Sequence, residues 1–194
     1  MNGYDFDKTI LKGNSVRRFF AYCLLRFPYL ILLLPVLLVL SMLFTLKIIN
    51  KHRYLDGLEL FLLFVPNKSK NIEKFWDKNI KHVQKWYLDA RTDEDVIISA
   101  SPAFIVEPAC RRLSVKCLAT EKDVKTCKTT NGKHCYGEEK VVRYRQEFGD
   151  LPLECYYSDS WSDEPSFAFA KRGYLVQGER ITLVYENGKK ICDK

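Results

Sequence analysis

A chain of 194 residues, 47% hydrophobic and 28% charged, carries enough apolar side chain to fold, as one compact domain with a sizeable insertion or as two small lobes. Its formal net charge of +7 suits an anionic partner such as phosphate or anionic lipid, or simply a soluble basic surface. Nothing beyond that charge points to nucleic acid, so nucleic-acid binding is not expected.

The chain opens MNGYDFDKTI, in which Asp5 and Asp7 flank Phe6 and Thr9 follows. In an extended strand residues i and i+2 share a face, so both carboxylates point the same way. Asn2 and Gly3 are poor strand formers, and the first strand should be short. Too few residues precede Asp5 for a cleavable secretory signal, and the seven cysteines are an odd set without a CxxC pair. Together these lead to an expectation of reduced thiols in a cytosolic environment. Cys117, Cys127, His134 and Cys135 lack the paired spacing of a zinc knuckle, and zinc is not expected.

From Phe27 to Leu46 the sequence runs FPYLILLLPVLLVLSMLFTL without a charge. As a helix this run is about 30 Å long, the thickness of a bilayer's hydrocarbon core, and it exceeds most buried helices of soluble lobes. Pro35 predicts a kink or a break within it, giving either a tilted span or two half-helices that enter and leave on one face. Basic residues flank both ends (Arg17, Arg18 and Arg26 before; Lys47, Lys51, His52 and Arg53 after), which favours the re-entrant form. A second run, LELFLLFVP at 58–66, is too short for a full span. Residues 67–95 read as one long amphipathic helix with Phe75, Trp76, Ile80, Val83, Trp86 and Tyr87 on or near one face, packed in the insertion or lying at a membrane interface.

The remainder reads as α/β. Residues 95–99 form a buried strand delivering a serine to a loop, and a helix follows with Pro102 in its first turn. Residues 115–119 are a further strand, Asn131-Gly132 a turn within a hairpin, and GEEKVVRYRQEF (137–148) a helix with Val141, Val142, Tyr144 and Phe148 inward. LECYYSDSWSDEP (153–165) reads as strand, acidic loop and helix start, and 173–177 and 181–186 as strands, the latter ending at an Asn187-Gly188 turn. Alternating strands and helices predict a Rossmann-like, mainly parallel α/β sheet with helices on both faces, with the apolar and helical insertion after its first strand. Ligands of such sheets bind beyond the carboxyl ends of the strands, which would gather DFDKT, ISASP and SDSWSDE at one edge. Clustered carboxylates repel unless a cation neutralises them, and oxygen ligands with room for water suit Mg²⁺. With a lysine and serine hydroxyls alongside, the set fits a phosphate dianion.

DFDKT, ISASP, GEEK and YSDSWSDEP, in that order, resemble the four motifs of the haloacid dehalogenase superfamily, in its phosphoserine phosphatase-like branch and most like the C-type phosphatidylglycerophosphatases. The resemblance spans residues 4 to about 177. It implies that Asp5 is the nucleophile forming an aspartyl-phosphate, and that Asp7 is the general acid and base. Thr9, Ser99 and Lys140 are implied on the phosphoryl side, with Thr9 orienting the aspartate pair. Asp5, the Asp7 backbone carbonyl and Asp159 would hold Mg²⁺, and Asp163 would position the metal's waters or Lys140. Lys8 stands where many relatives have glycine. The expected organisation is a catalytic core of 1–13 and 93–194 and a helical cap of 14–92 with a membrane-associated hairpin at about 19–66. If Asp5 and Ser99 share one site, as the resemblance implies, no single complete span separates them, and the favoured expectation is a monotopic hairpin with the core on the cytoplasmic face of the membrane. The implied activity is a Mg²⁺-dependent phosphomonoesterase acting on a lipid phosphate such as phosphatidylglycerophosphate. A soluble, phosphoserine-like substrate with mere anchoring is the alternative. A vestigial scaffold is remote, since none of the six motif positions is lost.

Overall fold

Asn2 and Gly3 leave little side chain for a strand, and in the computed structural model the first strand is only Gly3–Tyr4 (β1). The structure describes residues 1–130 and 132–192, with His52 described by its backbone alone. The other strands are Val96–Pro102 (β2), Lys116–Thr120 (β3), Cys155–Ser158 (β4), Arg172–Gln177 (β5), Arg180–Glu186 (β6) and Lys189–Lys190 (β7). They form one seven-stranded sheet in the order β3-β2-β1-β4-β5-β6-β7. β1 to β5 run parallel to their neighbours, and β5, β6 and β7 pair antiparallel. The short β1 thus sits at the middle of the sheet. Gly3 is suited to that place, because a Cβ there would come within 2.6 Å of the Leu153 side chain and 2.9 Å of Tyr156.

Alternation along β2 divides the core, with Val96 and Ile98 on one face of the sheet and Ile97 on the other. The Ile97 face is covered by Ser15–Arg26 (α1), Lys68–Asn79 (α4), Lys85–Ala90 (α5) and Ala103–Arg112 (α6); between α1 and α4 lie Leu34–Thr45 (α2) and Lys51–Leu58 (α3). The opposite face is covered by Glu138–Phe148 (α7) and Glu164–Phe169 (α8) through Tyr144 and Phe167. The predicted mainly parallel sheet with helices on both faces is therefore the observed architecture. The two hairpin turns use left-handed residues, Gly178 (φ 67°) between β5 and β6, and Asn187 (φ 49°) with Gly188 (φ 75°) between β6 and β7.

Several local expectations shift. β2 continues through Pro102, which ends the strand rather than opening the first turn of the helix. Along α7, Val142 faces solvent while Lys140 and Arg143 turn inward: Lys140 reaches two carboxylates and Arg143 donates to Ala119 O at 2.7 Å. The Asn131-Gly132 turn includes Asn131, which lies outside the described residues; on its near side, Lys122 and Thr129 do form an antiparallel bridge.

The apolar run is a 3-10 turn at Pro28–Leu33 leading into α2, not a long helix kinked at its centre. Pro35 falls in the first turn of α2, where its missing N–H is not needed. α2 returns through α3, with Phe44 stacked on Tyr54 at 4.3 Å. The pair packs so closely that a Cβ on Gly57 would come within 2.6 Å of Leu40. No residue of α2 is buried, and only 6% of the Pro28–Thr45 stretch, of mean hydropathy 2.3, is buried in the protein. A buried helix of a soluble lobe is thereby excluded for this run.

The single helix expected over 67–95 is broken into α4, a 3-10 turn at Ile80–His82 and α5. The break is imposed from outside: Gln84 N donates to Ile10 O at 2.7 Å and Lys12 N to His82 O at 2.9 Å, which holds 83–84 extended against the segment after Asp7. Its aromatic face is not interfacial. Phe75, Trp76 and Tyr87 are buried, and Trp76 Nε1 donates to Ile105 O at 2.7 Å. Trp76→Phe removes that bond and opens a void, so a loss of about 2 kcal/mol is expected in denaturant unfolding. An unchanged midpoint at unchanged slope would contradict this packing.

Candidate active site

Asp5 is the first residue beyond β1 and Asp159 the first beyond β4, while Ser99 and Ser101 lie in the last half of β2. All stand at the carboxyl ends of adjacent parallel strands, where such sheets place their ligands. The loop between Asp5 and Asp7 is pinned from behind by Phe6, which is fully buried with its ring 5.7 Å from that of Trp76.

Lys140, buried on α7, is the hub. Its Nζ lies 2.6 Å from Asp5 Oδ1, 2.6 Å from Asp163 Oδ2 and 3.1 Å from the Tyr156 hydroxyl. Ser158 Oγ donates to the same Asp163 oxygen at 2.7 Å. Asp163 therefore serves Lys140, one of the two roles expected of it. Both carboxylates hold the ammonium charged, and its pKa rises despite burial. Asp5 is pushed up to about 7 by burial; Lys140 opposes the rise, while Asp163 and Asp159 add to it.

Asp7 is held separately. Its Oδ1 accepts from Ser15 N at 2.5 Å, and its Oδ2 from Ser101 Oγ at 2.5 Å, Ser15 Oγ at 3.1 Å and Asn14 Nδ2 at 3.3 Å. Burial raises its pKa against these bonds, which favours a carboxyl that can carry a proton. Ser15 was not anticipated, although Asn-Ser ahead of an apolar run is a helix-start signal: Asn14 caps α1 by accepting from Arg17 N at 2.9 Å. Ser101 is the second serine of ISASP, and nothing in that motif signals its bond to Asp7.

Thr9 is fully buried, and its hydroxyl donates to Asp5 Oδ2 at 3.3 Å and accepts from Asp159 N at 2.9 Å. It orients the carboxylates from behind and does not line the cavity, so it is not placed to touch a phosphate directly. Ser99 does line the cavity, and its Oγ accepts from Ser101 N at 3.2 Å. Lys8 adopts φ 61°, the left-handed region in which glycine is cheapest, and its Nζ lies 4.0 Å from Asp159 Oδ2.

These residues floor a cavity of about 490 Å³. Asp5, Asp7, Ser99, Lys140, Asp159 and Asp163 make its polar end; Val16, Phe20, Leu37, Phe44, Leu55 and Phe61 of the helical insertion make its apolar wall. Among the described residues no three acidic, His or Cys side chains form a ready-made cage. The donor set nevertheless suits a hard cation: two carboxylates, Asp5 and Asp159, whose pKa values are raised first by burial and then by the charge of Asp163.

The family model of haloacid dehalogenase-like hydrolases matches residues 3–168. The chain belongs to this family. Its hydrolase character and its fold are those the motifs implied. Among solved structures, a Bordetella pertussis Tohama I protein of unknown function superposes with a TM-score of 0.72 at 20% identity, covering 89% of this chain and 87% of that one. A phosphoserine phosphohydrolase-like protein from Francisella tularensis subsp. tularensis SCHU S4 gives 0.57 at 16% identity, with 89% and 84% covered. Protein CicA of Caulobacter vibrioides is 34% identical over 88 residues, 42% of this chain and 40% of that protein. The chain thus matches well under half the length of that curated relative.

The raised Asp5 pKa has a thermodynamic consequence. The pKa of Asp5 is about 7 in the folded protein against an ordinary value of 3.8, so its carboxyl is increasingly ionised beside Lys140 as pH rises toward neutrality. Its contribution to stability is therefore fully present below about pH 4 and lost as pH rises through 7. A cation held by Asp5 would compete with the carboxyl proton, so added Mg²⁺ is expected to raise the melting temperature more at pH 7.5 than at pH 5. Asp5→Asn should flatten the difference, and equal shifts at both pH values would show that Asp5 is not a ligand.

Proposed function

We propose that the protein is a Mg²⁺-dependent phosphomonoesterase whose substrate is an amphiphilic phosphate ester, a lipid phosphate such as phosphatidylglycerophosphate. The observation that carries this reading is the two-ended cavity, in which the carboxylate cluster and the apolar cap wall line one continuous space. A small soluble ester has no use for the apolar end.

In this reading Asp5 attacks phosphorus as the bond to the leaving oxygen breaks, and Asp7 gives its proton to that oxygen. Water then attacks the aspartyl-phosphate and yields a proton to Asp7, releasing phosphate and restoring Asp5. Ser101 and Ser15 hold Asp7 in place for both transfers. Lys140 fixes Asp5 and, with Ser99, faces the phosphoryl oxygens. Asp5, Asp159 and the Asp7 carbonyl would hold Mg²⁺, which when bound supplies charge neutralisation at the phosphoryl group.

The exposed apolar surface supports membrane association. Leu32, Leu38, Val39, Met42, Leu46 and Ile48 are exposed together on and beside α2, next to Lys47. A monotopic hairpin dipping into the cytoplasmic leaflet would bring the cavity to headgroup level. A second reading, a soluble phosphoserine-like substrate with the hairpin as anchor, draws on the Francisella structure.

Phosphate release from phosphatidylglycerophosphate in mixed micelles, set against glycerol phosphate and phosphoserine, separates the two. A strong preference for the lipid supports the first, and equal or better turnover of soluble esters supports the second. Asp5→Asn should lose activity by on the order of 10³-fold or more in either case; retained turnover would overturn the mechanism. Leu38→Glu with Met42→Glu should abolish co-flotation with anionic phosphatidylglycerol vesicles, and unchanged flotation would remove α2 as the membrane contact.

A further inference from the structure

We infer that Glu59 reads the leaving group of the substrate, accepting a hydrogen bond from a hydroxyl or ammonium carried beside the ester oxygen; this deepens the phosphatase reading and rests on it.

Glu59 is an anomaly as a structural residue. It ends α3, and a negative charge at a helix C-terminus opposes the helix dipole. It is 4% exposed, where a carboxylate is costly to bury. Its partner Lys122, whose side chain is wholly buried, lies 2.5 Å from Glu59 Oε2 but also 2.7 Å from Asp56 Oδ1. Asp56 Oδ1 also lies 3.1 Å from His134 Nε2, and Glu59 is the second carboxylate on that lysine. Lys122 fixes one oxygen of Glu59. No hydrogen bond from a described residue reaches the other oxygen, Oε1, and Glu59 is among the residues that line the cavity.

Its position specifies what Oε1 can meet. Glu59 lines the same cavity as Asp5, Asp7 and Ser99, on the cap wall beside Tyr54, Leu55 and Leu58. Burial pushes its pKa up to about 7 against the pull of Lys122, and the charges of Asp56 and Asp7 add to the rise. Glu59 lines the cavity from the cap side with Tyr54, Leu55 and Leu58, whereas Lys140 lines it from the core on α7, so Glu59 is assigned to the leaving-group side rather than to the phosphoryl pocket around Lys140. A buried carboxylate with one free oxygen is matched by a donor and left unsatisfied by an apolar neighbour. The substrate class is thus a phosphomonoester of a polyol or amino alcohol, in which a second donor sits near the esterified oxygen. An ester of a fully acylated alcohol lacks that donor.

The test compares two matched pairs: phosphatidylglycerophosphate with phosphatidic acid in micelles, and glycerol 3-phosphate with p-nitrophenyl phosphate in solution. In each pair only the first leaving group carries a free hydroxyl. Glu59→Met paired with Lys122→Met removes the carboxylate without stranding the buried lysine, and Glu59→Gln keeps the shape with a weaker acceptor. Melting curves establish that both variants fold. The paired variant should lose about 10- to 100-fold in kcat/KM on the hydroxyl-bearing ester of whichever pair the wild type turns over, and stay within about twofold on its mate. Glu59→Gln should fall between. Equal losses on both mates would assign Glu59 a merely structural role, and no loss on the hydroxyl-bearing ester would overturn the inference. If wild-type protein releases no phosphate from any of the four in an Asp5-dependent way, the phosphatase reading itself falls and takes this inference with it.

Discussion

The site is organised around one buried cation. Lys140 reaches across from α7 to touch Asp5 after β1 and Asp163 in the turn after β4, each at 2.6 Å. Three charges so nearly removed from water are unfavourable singly, and they persist because each satisfies the others. That mutual requirement joins segments far apart in the chain: Lys140 and Asp5 are 135 residues apart in sequence. It also sets the direction of α7, whose inward face carries Lys140 and Arg143 where periodicity placed Val142. The ion triad settles which face of that helix is inward, and hydrophobicity then fills the space around it.

A second consequence is a division of labour between the two opening aspartates. Asp5 is held by charge, through Lys140, and Asp7 by hydrogen bonds, through Ser15 and Ser101. Two carboxylates two residues apart would tend to titrate alike; these two are given different surroundings, one shaped by an ammonium and one by hydroxyls. Ser15 sits at the start of α1, so the first turn of the inserted segment buttresses Asp7 directly. The insertion is part of the site as well as a cover over it.

What the sequence made legible follows the same physics. The motif residues could be placed because each is a polar group immediately after a short apolar strand, and parallel topology sends all such ends to one edge. The strands of the second half were readable within a residue or two because Gly178 and Asn187-Gly188 mark their turns. The break in the 67–95 helix was not readable. It depends on Gln84 N meeting Ile10 O, a contact between segments distant in sequence, and local periodicity carries no trace of it. Thr9 was legible as an orienting residue but not as a fully buried one, because its burial comes from the Asp159 amide arriving from β4. Ser15 was signalled by its helix-start context; its bond to Asp7 depends on where α1 sits over the sheet.

The exposed hairpin is the costliest feature of the fold, and its cost bears on the function. Elsewhere the chain packs its large side chains well, with Trp76, Tyr87 and Phe75 essentially out of water. On and beside α2, Leu38, Met42, Leu46 and Ile48 stay more than half exposed. A hairpin needed only to cover the site could have been polar outside. α2 and α3 instead present apolar side chains outward and, through Leu37, Phe44 and Leu55, inward to the cavity as well. On the proposed reading, one hairpin with two apolar faces, one of them lining the space above Asp5 and Asp7, suits an amphiphile entering from an apolar medium. A site for a freely diffusing ester would need only the polar floor. The same comparison makes Glu59 informative, since among the described residues it is the one buried acidic group that the insertion contributes to the cavity lining.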